Sequence, residues 1–120
     1  MFAFLGGIVA LIALGTIVVL VIALTIKWLK TRLREKLALQ NAQKTVVADI
    51  KELVKNCDNK ISLDDLDELA DKEGYTHFMA TIDDNNEVIG EVEMVKDTNG
   101  KQDVEVQRLL GRNGMVVVEK

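Results

Sequence analysis

"MFAFLGGIVALIALGTIVVLVIALTI" (Met1–Ile26) opens the chain, and how it is read decides the fold. It carries no ionisable side chain. As one α-helix it would be about 39 Å long, against a bilayer hydrocarbon core of about 30 Å. The rest of a 120-residue chain has no core large enough to bury such a helix. The stretch therefore predicts a single N-terminal transmembrane helix. A cleaved secretory signal is disfavoured, because no basic residue precedes the run and no small-x-small cleavage pattern follows it. Within the run, Ala3 and Gly7, and Gly6 and Ala10, form small-xxx-small pairs, which let two membrane helices pack closely.

"IKWLKTRLREK" (Ile26–Lys36) follows immediately. Lys27–Lys44 contains six basic residues and one acid, whereas Thr45–Lys120 contains nine basic residues and eighteen acids. Basic residues flanking a span stay on the cytoplasmic side. Lys27, Lys30, Arg32, Arg34 and Lys36, with Trp28 among them, then read as a membrane-interface anchor. That places the chain in the plasma (inner) membrane, single-pass, with its N-terminus outside and its C-terminal domain cytoplasmic. Three segments result: a signal anchor over 1–26, a basic juxtamembrane spacer over 27–44 and a small acidic domain over 45–120. Nucleic acid is excluded as a partner, because the folded part is acidic.

The acidic part predicts an α+β domain of two amphipathic helices packed on an antiparallel meander of three or four strands. Leu39, Ala42, Val46, Ile50, Leu53 and Cys57 recur at helical spacing and extend the spacer helix to about Asn56. "SLDDLDELADKEG" (Ser62–Gly74) reads as a second helix, begun by Ser62 with Asp65 in the capping-box position and ended by Gly74. From Tyr75 the period becomes two. Phe78, Ala80 and Ile82 share one strand face; Val88, Gly90, Val92 and Met94 share another, with Glu87, Glu91 and Glu93 opposite. Asp103–Leu110 and "MVVVE" (Met115–Glu119) read as further strands. Asn99-Gly100 and Asn113-Gly114 are hairpin-turn signals.

Residues with a bearing on chemistry are few. Asp58–Leu66 lacks the first ligand, the glycine and the bidentate glutamate of a calcium-binding loop. Asp83, Asn85 and Glu87 are a weak hard-cation candidate, but a hairpin loop uses the same residues to bond its own amides. His77 is the one histidine and Cys57 the one cysteine. His77 falls on the strand face opposite Phe78 and is expected at the surface or an edge, out of reach of Cys57. No phosphate-binding glycine loop and no metal-ligand spacing occurs. The chain reads as a non-enzyme with no cofactor and no small-molecule substrate. Asp64, Asp65, Asp67, Glu68 and Asp71 form an acidic face suited to docking a partner. The expected role is a protein-interaction domain in a membrane complex, as accessory, adaptor or regulatory subunit. Its partners would be the lipid bilayer and another membrane-associated protein or its own copies. Self-assembly into a ring or oligomer, or weak divalent-cation sensing, are the alternatives.

Overall fold

The computed structural model describes residues 17–50, 74–99 and 103–120. Ile17–Ile22, expected inside a membrane helix, is a β-strand, β1. Five of its six residues are isoleucine or valine. Their branched Cβ atoms crowd a helical turn but pack well on a pleated surface. The strand stops before Thr25, whose Oγ1 accepts a hydrogen bond from the Trp28 N–H and so caps the helix that follows.

That helix, α1, runs Ile26–Leu37. It buries Leu29, Leu33 and Lys36, which recur every three or four residues, and Arg34 and Lys36 in its last turn complement the helix dipole. It ends well short of Asn56. Asn41 takes a left-handed backbone (φ +68°) and turns the chain into β2, Lys44–Asp49. The helix expected across Val46 is thus replaced by a strand over Lys44–Asp49; Ile50 is helical, and the remainder of that expected helix, to Asn56, lies outside the described residues. The run Thr45, Val46, Val47 is β-branched, and strand pairing overrides the helical spacing.

The later elements are β3 (His77–Ile82), β4 (Val88–Asp97), α2 (Val104–Leu110) and β5 (Met115–Glu119). Helix α2 corrects the strand expected over Asp103–Leu110. Asp103 Oδ1 accepts hydrogen bonds from the Glu105 and Val106 N–H groups, Val106 and Leu110 lie on one helical face, and Gly111 follows at φ +71°. Asn113-Gly114 belongs to the turn leading from α2 into β5, so it joins a helix to a strand. Gly100 lies outside the described residues, as do the Ser62–Gly74 helix up to residue 73 and Cys57.

The strands form one mixed sheet in the order β1-β4-β3-β2-β5. β4-β3-β2-β5 is antiparallel throughout, and β1 joins β4 in parallel, with Ile17 beside Val92 and Ile22 beside Asp97. The β3–β4 register shifts between Met79 and Thr81, and Gly90 in β4 has the positive φ that suits such an irregularity. One face buries Val46, Ala48, Phe78, Ala80, Val92 and Met94, with Ile17, Met115 and Val117 beside them. The other buries Val47 and Met79 under Leu29 and Leu33 of α1 and Val106 and Leu110 of α2. Packing on both faces buries all six residues of the middle strand, β3.

These findings overturn the expected architecture. Residues of the supposed anchor pair with β4, the basic segment packs on the sheet, and no helix among the described residues is long and apolar enough to cross a membrane. The transmembrane signal anchor, the single-pass topology and the inner-membrane placement built on it are corrected accordingly. So is the purely antiparallel meander.

Candidate functional site: the β1 edge

Most polar side chains on the helical face are spent on holding the fold. Glu93 in β4 is buried, and α1 supplies its counter-charges. Arg32 Nε donates to Glu93 Oε2 at 3.1 Å, Arg32 Nη2 donates to Glu93 Oε1, and Lys36 Nζ lies 2.8 Å from the same Oε1. Arg32 and Lys36 are four residues apart and so share one side of α1. The hydrogen bond to Glu93 raises the Arg32 pKa further above its ordinary range, burial opposes this, and Glu35 at 2.8 Å adds to it. Asp97 Oδ1 accepts from the Leu24 and Asn99 N–H groups, which fastens the chain between β1 and α1 to the end of β4. Asp103 Oδ2 accepts from the Ile26 N–H at 3.4 Å, so one carboxylate serves the first turns of both helices.

His77 lies on the face opposite Phe78, as the alternation requires, but it is only 4% exposed. It occupies β3, the middle strand, on the same face as Met79 of the helical-side core. Its Nδ1 sits 2.8 Å from Thr76 Oγ1. Burial pushes its pKa below the ordinary value, while Asp49 and Asp97 pull it back up.

The expected sites are placed as follows. Lys27, Lys30 and Arg34 are exposed on α1, Trp28 is half-buried against the helical-face core, and Arg32 and Lys36 turn inward to Glu93. Ala3, Gly6, Gly7 and Ala10, and the acidic face Asp64, Asp65, Asp67, Glu68 and Asp71, lie outside the described residues. Asp83 Oδ1 accepts from the N–H groups of Asn85 and Glu87, and Asn86 adopts φ +61°. The Asp83 carboxylate thus closes the β3–β4 turn, with Asn85 and Glu87 exposed.

What remains unspent is the β1 edge. Among the described residues β1 pairs with β4 alone, and no described strand lies along its outer rim. A strand alternates its side chains, which puts Val19 and Val21 on the face of Ile17. They are 41% and 62% exposed. Towards the helical face, Leu20 and Ile22 meet Trp28, Thr31, Arg32 and Glu35 around a hollow of about 250 Å³. The opposite edge differs. β5 ends in Glu119, which lies 3.7 Å from Lys44 and is followed by Lys120, and such charges discourage strand addition. β1 contains neither charge nor proline. Val19, Leu20 and Val21 were not singled out from sequence, since in a membrane helix they would face lipid. The available signal was the β-branched density of Ile17–Ile22, in which every residue but Leu20 is isoleucine or valine.

Comparison with protein-family models, with curated proteins and with solved structures gave no match. Fold and site together define a class only: a small α+β domain built on a five-stranded mixed sheet, whose edge strand β1 is uncharged and exposes Val19 and Val21 and whose other edge strand, β5, ends in a charge.

Proposed function

We propose that this chain is a protein-binding module that takes up an extended apolar segment as an added strand along β1. The observation carrying this role is an uncharged edge strand, unpaired on its outer side among the described residues, with Val19 and Val21 exposed. Main-chain hydrogen bonds would supply affinity, and the alternating side chains of the added strand would supply selectivity. The hollow between β1 and α1 offers space for every second side chain of that strand. Non-enzymatic action is supported by the carboxylates of Asp83, Asp97 and Asp103, which accept backbone N–H groups, and by Glu93, which is held by two cations.

The test is a titration of the full chain with lysine-flanked hexapeptides rich in valine and isoleucine, followed by amide NMR. Shift changes should centre on β1 and fade through β4. They should disappear in Val19→Lys/Val21→Lys, which places charges on the edge. If no peptide in the panel moves the β1 amides, the edge is not a binding site.

A further inference from the structure

We infer that the segment added at this edge is β1 of a second copy of the chain, paired antiparallel about a two-fold axis through Leu20; this rests on the edge-binding role above. Residues directly opposed in an antiparallel pair project from the same face. With Leu20 opposite its own counterpart, Val19 stands opposite Val21, and Val18 opposite Ile22. The two most exposed residues of the strand therefore cover each other, twice over. Centring the pair on Val19 would instead set Val21 against Ile17, which already packs on the core. A slip by one residue would throw the valines to opposite faces.

Charge allows the same pairing. Ile17–Ile22 carries none, so two copies meet without like charges at the seam. The hollow lined by Leu20, Ile22, Trp28, Thr31, Arg32 and Glu35 lies beside the strand and leaves room on the helical face for the second Val18, Leu20 and Ile22; its two charged residues are paired with each other at 2.8 Å. Because the contact is isologous it closes at two copies, and both open edges are consumed. The strand is short, so the dimer should be weak and concentration-dependent, below the size of a standard stable interface.

The experiment uses the full chain with Cys57→Ser, which removes the native thiol. Sedimentation across a dilution series should fit a monomer–dimer equilibrium, and Val19→Lys/Val21→Lys should shift it to monomer. Under mild oxidation Leu20→Cys should form a disulfide with itself. A mixture of Val19→Cys and Val21→Cys chains should give the mixed disulfide, with little from either chain alone, since the like pairs lie on diagonals too long to bridge. The valine positions are exposed, so this arm holds even if Leu20→Cys fails to fold. A chain that stays monomeric at every concentration while hexapeptides still shift the β1 amides overturns self-pairing and leaves edge binding intact. A monomer that ignores the peptides overturns both. Growth beyond a dimer, or disulfides that form without regard to position, overturns the two-fold pairing.

Discussion

His77 shows how far one residue's environment departs from its local sequence. Alternation with Phe78 places its side correctly, but exposure depends on what lies against that side, and in the folded chain His77 is buried. Burial lowers its pKa, against the pull of Asp49 and Asp97. The folded state therefore resists protonation more than the unfolded chain does. Above the ordinary histidine value both states are neutral, and this contribution to stability is complete. As pH falls below that value, the unfolded chain takes up the proton first and stability declines until the folded-state pKa is passed. The loss is at most about 1.4 kcal/mol per pH unit. Urea unfolding from pH 8 to 5 should show this decline, and His77→Gln should remove it from that window. Equal pH slopes in the two proteins would rule out His77 as its source.

At the scale of elements, the charged contacts explain how α1 is held against the sheet. Glu93 alternates with Val92 and Met94, which by sequence alone marks it as an outward residue. Its burial follows from Arg32 and Lys36 reaching across from α1. Removing one member of such a cluster strands the others, at a cost of about 3 kcal/mol, whereas exchanging all of them for apolar residues is often neutral. Glu93→Gln should thus lower stability by roughly that amount. The triple variant Glu93→Leu/Arg32→Leu/Lys36→Met should recover most of it, as measured by denaturant midpoints. If Glu93→Gln unfolds at the wild-type midpoint, the cluster does not fasten α1. Helix α2 is a second case. "DVEVQRLL" suits a strand by its first alternation, yet Asp103 as N-cap and the Val106–Leu110 spacing belong equally to a helix. Seven residues are too few for period alone to choose.

Across the whole molecule, the decisive difference is the state of Ile17–Ile22. The sheet requires extended backbone there, joined to β4, with a helix beginning only after Thr25. Carbon-13 backbone shifts of the labelled full chain should be strand-like from Ile17 to Ile22 and helical from Ile26 to Leu37. Amide exchange of alternate β1 residues should slow with that of β4. Helical shifts running unbroken from Ile17 through Lys36 would refute this fold and the open edge with it.

Alternation by itself marked β3 and β4, and the Asp83–Glu87 turn between them, because a half-polar strand and an Asx-bonded turn are written in neighbouring residues. The helical character of Lys27–Lys36 was legible for the same reason. An all-apolar run carries no period, so Ile17–Ile22 satisfies a membrane helix and a buried strand equally well in local terms. Only pairing with β4, far along the chain, made it a strand. Burial of His77 and Glu93, and the contrast between a guarded β5 edge and an open β1 edge, likewise arose from contacts distant in sequence. Local spacing encodes which residues share a face; what lies against that face is decided when the chain folds.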